Sequence, residues 1–385
     1  MTAVSSARRS WTDEFTRLRN SLRRTKAEAA RTWGARFVDL GRSEPLRAWP
    51  ADTEDAGASW EHTRRYPPIE GLAPVRAAIA EHYATGLGVP LAPGNVFVAG
   101  GAQAGVTLAL ASVLQPGDEV LVAAPYFHSY PTQIELLGGV PRLVDTAADG
   151  WRLTAERIGR QVTDRTRALL LANPANPTTA VHDEATLRRI RSVLPPHVAV
   201  IADEVYAEYR YPGVEFTSFA AIGGASEWIV VRSASKTLGR PGLRAAMLFG
   251  MPEVIDRIAA RAAVLTGAAS APAQLLLARA LPSLHGVDHM RPYRKRCAEA
   301  VAVAREHGLS VVPPRGTYFL WLSTQDGPDL ADHAVGERLA REAGVFVWPG
   351  ERFGSATHCR ISLSCSLKDL TDGITRVARF VVEGR

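Results

Sequence analysis

Lysine is scarce in this chain. Among 385 residues there are four, Lys26, Lys236, Lys295 and Lys368, against 41 arginines. Arginine stays protonated and forms no imine, so chemistry that needs a neutral amine falls on very few positions. Cysteine is scarcer still. Cys297, Cys359 and Cys365 have neither zinc-type nor redox-type spacing, which argues against a disulfide scaffold and for a reducing, cytoplasmic setting. No apolar run is long enough to span a bilayer, so no membrane partner is expected. Arg8-Arg9 is followed by polar and acidic residues and not by the apolar stretch of a signal peptide. The net charge of +6 comes from scattered arginines, with no compact basic block interleaved with aromatics, so no nucleic-acid partner is expected. There is no internal repeat and no low-complexity tract. His285 and His289 are four apart, but no third ligand accompanies them and no metal is expected.

The chain has enough length and apolar content for two domains with sizeable cores. Phe15, Leu18 and Leu22 recur at helical spacing and predict one amphipathic helix over 10–33. Residues 41–65 read as irregular. Strand-like runs then appear at Val96–Ala99, Val120–Ala124, Ala168–Ala172, Val198–Ala202, Trp228–Val231 and Ala245–Phe249. Helical patterns such as Val75–His82, Glu184–Val193 and Pro252–Ala263 separate many of them. Strand and helix in alternation imply an α/β fold, a mainly parallel sheet covered on both faces. After about residue 285 the texture changes. Helical stretches Pro292–His307 and Leu330–Ala343 mix with short strands near Leu309–Val312, Tyr318–Leu322, Val345–Trp348 and Arg360–Ser364, as in a smaller α+β domain.

Five segments carry candidate chemistry. Lys236 lies in Ser233-Ala234-Ser235-Lys236-Thr237, followed by Gly239-Arg240-Pro241-Gly242-Leu243-Arg244. Hydroxyls, an amine, a glycine-rich turn and a guanidinium suit a lysine that binds a phosphorylated aldehyde; a solvated loop lysine is the bland alternative. Val98-Ala99-Gly100-Gly101-Ala102-Gln103 runs from strand through glycine into helix, where free amides could hold a phosphate or simply make a turn. Asn173-Pro174-Ala175-Asn176-Pro177-Thr178 follows a buried strand, where active-site loops emerge, although Asn-Pro also marks ordinary turns. Asp203, in Val200-Ile201-Ala202-Asp203-Glu204-Val205-Tyr206, ends an apolar run. It would either cap a helix or pair with a protonated ring nitrogen. Glu204, one residue on, is expected on the opposite face. In Ala124-Pro125-Tyr126-Phe127-His128-Ser129-Tyr130 an aromatic follows a strand and would stack on a flat ring or pack in the core.

Taken together, in this order, the segments resemble the class I/II aminotransferases of the aspartate aminotransferase superfamily, which are fold-type-I pyridoxal-phosphate enzymes. The resemblance spans about residues 36–366. It implies a large domain with a mainly parallel seven-stranded sheet, and pyridoxal 5'-phosphate as cofactor. It implies Lys236 as the Schiff-base lysine and proton shuttle, Asp203 at the pyridine nitrogen, Asn176 and Tyr206 at the ring hydroxyl, and Phe127 stacked on the ring. Gly101, Ala102, Gln103, Ser233, Ser235 and Arg244 fall on the phosphate cup. Tyr66, in Arg65-Tyr66-Pro67-Pro68, falls on a tyrosine lent to the phosphate of a neighbouring subunit, which implies a homodimer with shared sites. Arg360 falls on the clamp for the substrate α-carboxylate, and Ser43 is implied as a second substrate-binding residue. The expected division is an N-terminal helical extension over 1–35, a large domain over 61–284, and a small domain from 36–60 and 285–385.

The pattern is broken in three places. Ser43-Glu44-Pro45 stands where Gly-Glu-Pro is usual, Thr179 follows Thr178 where glycine is usual, and Arg244-Ala245-Ala246 replaces arginine-x-glycine. The expected activity is transamination of an α-amino acid. The alternative is side-chain elimination, replacement or cyclisation on the same scaffold, as in 1-aminocyclopropane-1-carboxylate synthase.

Overall fold

A computed structural model describes residues 10–49, 63–223, 227–324 and 330–382. Arg8-Arg9 and part of the irregular stretch expected over 41–65 lie outside the described residues.

The described strands, in chain order, are β1 (Val38–Asp39), β2 (Val96–Ala99), β3 (Glu119–Ala124), β4 (Val140–Asp145), β5 (Thr166–Ala172), β6 (Ala199–Asp203) and β7 (Trp228–Ser233), then β8 (Ala246–Gly250), β9 (Leu309–Val311), β10 (Phe319–Thr324), β11 (Val345–Phe346), β12 (Trp348–Pro349) and β13 (Cys359–Ser362). Seven of them form one sheet in the order β2-β8-β7-β6-β5-β3-β4. β8 runs antiparallel to both its neighbours, and the other pairs are parallel. Both faces are covered, so the central strands are apolar throughout and split their side chains by alternation. Ala168 and Leu170 face one core, with the helices Ala102–Val113 and Pro252–Leu265. Leu169 and Leu171 face the other, with the helices Ala73–Leu87 and Glu184–Val193.

The carboxyl ends of β2, β3, β5, β6 and β7 lie along one edge of the sheet, with β8 between β2 and β7, and carry the loops that hold most of the candidate residues. β4 and the short helix Tyr130–Leu136 were not foreseen in the sequence. β4 is an edge strand with a proline, an arginine and exposed residues at both ends, so it lacks the apolar run that marks its neighbours.

β12, β13, β10 and β9 form a separate four-stranded antiparallel sheet. The run expected as one strand over Val345–Trp348 is divided: β11 pairs with β1, whereas β12 pairs with β13. The helix expected over Leu330–Ala343 starts at His333, capped by Asp332, and its last turn, Leu339–Ala343, widens to π geometry.

The N-terminal helix, Trp11–Trp33, starts at Ser10, whose side chain accepts from Asp13 N. Its apolar stripe buries Leu18 and Leu22, while Phe15 is half-buried. One end is held by Glu135, whose carboxylate accepts from Thr12 N (2.8 Å), Thr12 Oγ1 (2.7 Å) and Trp11 N (3.2 Å). An acidic group here also complements the positive end of the helix. Two turns or more along, Ser21 and Thr25 donate to Glu337.

Candidate active site

The strand ends enclose a cavity of about 310 Å³. Its wall includes Ser43, Ala102, Gln103, Phe127, Asn176, Asp203, Tyr206, Ser233, Ser235, Lys236 and Arg244, residues far apart in the sequence. Arg360 is hydrogen-bonded to two residues of this wall, Asn176 and Ser43, and Gly101 directly precedes Ala102. Tyr66 is fully exposed on another surface, beside Arg64, Arg65, Pro67 and Pro68.

At one end of the cavity the helix Ala102–Val113 begins. Its N-cap, Gly101, has φ 108°, and a Cβ there would lie 2.3 Å from Arg244 Nη2. Only glycine lets the guanidinium approach the first turn of the helix so closely. Arg244 itself is exposed and has no carboxylate partner among the described residues. Unpaired helix amides, a guanidinium and the hydroxyls of Ser233 and Ser235 therefore share one corner, which suits a dianionic phosphate.

Asp203 ends β6 and is buried in the cavity wall. Its Oδ2 accepts from Tyr130 Oη at 2.6 Å and its Oδ1 from Val205 N at 3.2 Å. Burial raises its pKa above the usual carboxylate value, against the opposing effect of these bonds and of Lys236. A cationic N–H would relieve that penalty. The next residue, Glu204, is directed away from Asp203 into a buried network with Arg232 (2.9 Å), Ser218 and Phe219 N. Arg232 also binds Glu208 at 2.9 Å, and Glu208 accepts from Thr237 Oγ1, beside Lys236.

Lys236 Nζ donates to the Ser43 carbonyl at 2.5 Å and to Tyr318 Oη at 3.1 Å. Desolvation first, then the Arg360 charge, lowers its pKa to about 8, against Glu44 and Asp203. About a tenth of the amine is thus neutral, and nucleophilic, at pH 7, against less than about a thousandth for an ordinary lysine.

Arg360, on β13, is buried. Its Nη1 donates to Asn176 Oδ1 at 2.8 Å and its Nη2 to Ser43 Oγ at 3.4 Å, and Nε has no partner. Burial lowers its pKa to about 10. A fork held by two neutral acceptors, with a nitrogen to spare, is suited to a carboxylate.

Tyr130, Tyr318 and His128 join the site without having been assigned a part in it from the sequence. In the sequence, the signal for Tyr130 is its spacing of three from Phe127 on a strand-to-helix turn. His128 lies between Phe127 (centroids 4.4 Å) and Phe15 of the N-terminal helix (5.4 Å), with Nδ1 unpartnered. His285 instead faces His82, and His289 Nε2 meets the Thr237 carbonyl.

The anion corner, the flat slot beside Phe127, the buried carboxylate and the low-pKa amine fit pyridoxal phosphate. Comparison with known proteins agrees. The family model "Aminotransferase class I and II" matches residues 37–377. An aspartate aminotransferase of Streptomyces avermitilis is 31% identical, over 94% of this chain and 93% of its own length. A tetra mutant of Thermus thermophilus aspartate aminotransferase complexed with tryptophan superposes with a TM-score of 0.85 at 30% identity, covering 93% of this chain and 96% of the other. An aromatic aminotransferase from Pyrococcus horikoshii superposes at 0.82, with 29% identity and coverage of 92% and 98%. The family match encloses every group that lines the cavity, and this chain belongs to the class I and II aminotransferases, as a fold-type-I enzyme dependent on pyridoxal phosphate.

Proposed function

We propose that the enzyme transfers the amino group of an α-amino acid to a keto acid, with Lys236 as the attachment point of the cofactor. The observation that carries this reading is the Lys236 amine, held at a pKa of about 8 in the same cavity as Asp203 and one residue away from the Arg360 fork. Gly101, Ala102, Gln103, Ser233, Ser235 and Arg244 would hold the phosphate. Phe127 would cover the ring, Asp203 would pair with its nitrogen, and Asn176 and Tyr206 would approach its hydroxyl. When bound, the cofactor supplies an electron-poor ring that takes up charge from the substrate α-carbon.

The chain's own residues do the rest. Arg360 grips the α-carboxylate and so orients the α C–H bond. Tyr130 and the Val205 amide fix the Asp203 carboxylate in position. Lys236, in its neutral form, would take the α-proton on Nζ and hold it for delivery. Relatives named for aspartate and for aromatic substrates make those amino acids the first to test.

The reading extends to a cytoplasmic homodimer divided as the sequence suggests, into 61–284 and 36–60 with 285–385. No helix among the described residues is long and apolar enough to cross a membrane, and the three cysteines form no disulfide. Tyr66 is fully exposed and does not line the cavity, which is compatible with its being lent to the phosphate of a second chain. An inactive Tyr66 variant mixed with an inactive Lys236 variant should recover part of the activity, since a mixed dimer keeps one intact site. No recovery despite proven subunit exchange would rule out the shared site.

The deciding experiment incubates purified enzyme with an amino-acid panel, with and without keto acids, and follows products by mass spectrometry. Transamination consumes one keto acid for each amino acid. Turnover without a keto acid would favour elimination or cyclisation instead. Borohydride should fix the cofactor to the peptide that contains Lys236.

A further inference from the structure

Thr317 holds φ at 61°, in the left-handed region that a β-branched residue seldom enters. Its amide donates to the Tyr209 carbonyl (2.8 Å), and its Oγ1 accepts from Phe319 N (3.2 Å). This kink, just before β10, precedes a tyrosine that reaches the cavity floor from 82 residues beyond Lys236. The Tyr318 ring is fully buried. It stacks on Tyr293, with centroids 5.1 Å apart and planes at 15°, and meets Tyr206 and Tyr209 edge-on. Burial, with the neighbouring phenols, raises its pKa well above 10, so it keeps its proton. That proton is donated to the Ser43 carbonyl at 2.7 Å. A lone pair of the same oxygen is left to accept from Lys236 Nζ.

Two acceptors therefore face the amine, and both are neutral. Among the described residues no carboxylate lies within salt-bridge distance of Nζ. A carboxylate would stabilise the ammonium strongly and hold its proton. Two neutral oxygens position the nitrogen and leave its pKa low enough for the proton to move on.

We propose that the Ser43 carbonyl and the Tyr318 hydroxyl form a receiving site for the Lys236 amine while it is detached from the cofactor, with Tyr318 as a positioning residue for its proton transfers. The proposal rests on the assignment of Lys236 above. The proton balance is simple. The α C–H bond breaks, its electron pair stays with the substrate and cofactor, and an N–H bond forms on Lys236. The ammonium has three N–H donors. Two engage Ser43 and Tyr318, and the third is directed into the cavity for delivery. Ser43 also accepts from Arg360 through its Oγ, so one residue touches both the substrate clamp and the freed amine.

Tyr318→Phe tests this, since the ring and its stack on Tyr293 remain. In cofactor-free protein, the pKa of Lys236 is read by competitive labelling with an acid anhydride and quantitative peptide mapping. Loss of an acceptor for the ammonium should lower it by about half to one pH unit, the scale of one neutral hydrogen bond. Arg360, Glu44 and Asp203, the charged groups that face the amine, are unchanged in the variant. In the loaded enzyme, kcat should fall roughly tenfold with KM within about twofold, and the isotope effect with α-deuterated substrate should rise. A purely structural role would lower the melting temperature without moving the lysine pKa or the isotope effect. An unchanged pKa, or an unchanged isotope effect, overturns the proposal. Borohydride mapping of the same samples separates the two levels. A label on another lysine refutes the Lys236 assignment, whereas a label on Lys236 with no Tyr318 effect refutes the receiving site alone.

Discussion

Arg360 and Asn176 are already hydrogen-bonded, Nη1 to Oδ1 at 2.8 Å, with the guanidinium packed 4.1 Å from the centroid of the Phe319 ring. The fork is thus preoriented from below by an aromatic face and from the side by an amide. A carboxylate replaces a neutral acceptor with a charged one and needs no large movement of the arginine.

Arg360→Lys should therefore raise KM for α-amino acids by roughly ten- to a hundredfold, equivalent to loss of one charge-assisted hydrogen bond of about 1.5–3 kcal/mol. Cofactor retention should change much less. Steady-state kinetics beside a cofactor-release assay gives both numbers, and equal losses in the two would show that Arg360 serves the fold and not the substrate.

Asp203→Ala should leave the cofactor bound but lower kcat by several powers of ten, each power being about 1.4 kcal/mol of barrier. Tyr130→Phe, which removes only the 2.6 Å bond to Asp203, should lower kcat by at most roughly ten- to a hundredfold. A Tyr130 variant as damaged as the Asp203 variant would mean that the tyrosine itself touches the reacting atoms.

Cofactor uptake should depend on pH through Lys236. Its amine is protonated and non-nucleophilic below its pKa of about 8. The rate at which apoenzyme forms the covalent link should rise about tenfold per pH unit up to that value and then level off. Stopped-flow absorbance across pH 6–10 reads this, and a rate still rising tenfold per unit at pH 10, as expected for the ordinary lysine value of about 10.4, would show the amine to be solvated.

Acid should destabilise the fold partly through His182. Burial holds its pKa at about 4, and its Nε2 accepts from Leu153 N at 3.0 Å while Nδ1 has no partner. The folded pKa lies below the unfolded value, so the unfolded chain binds more protons between the two. Stability is then lost as pH falls from about 6.5 to about 4, by about 2–3 kcal/mol from this residue. Urea unfolding at pH 7 and pH 4.5 should show a smaller acid loss in His182→Gln than in the wild type.

Much of the cofactor pocket was legible because strands end there. An apolar run that stops at Asp203, or that meets Gly100-Gly101, marks both a sheet edge and a change of chemistry within a few residues. The direction of β8 was not legible, because an apolar strand reads the same whichever way it runs. Tyr318 carries no such mark, for a different reason. In sequence it is one aromatic within an apolar strand, and only the Thr317 kink and the chain's return past Ser43 bring its hydroxyl to Lys236. Arg360 and Asn176 were identified separately, but a bond across 184 residues leaves no local trace.

The N-terminal helix has a practical consequence for handling the protein. Its first turn is gripped by Glu135, the Trp11 ring meets Tyr126 edge-on at 6.0 Å, and Phe15 lies against His128 on the cavity wall. A purification tag fused close to Ser10 would compete for Glu135 and perturb the packing behind His128. Kinetic constants measured on such a fusion would describe a loosened site. A cleavable tag, removed before assay, keeps the Glu135 anchor and the enzyme's own geometry together.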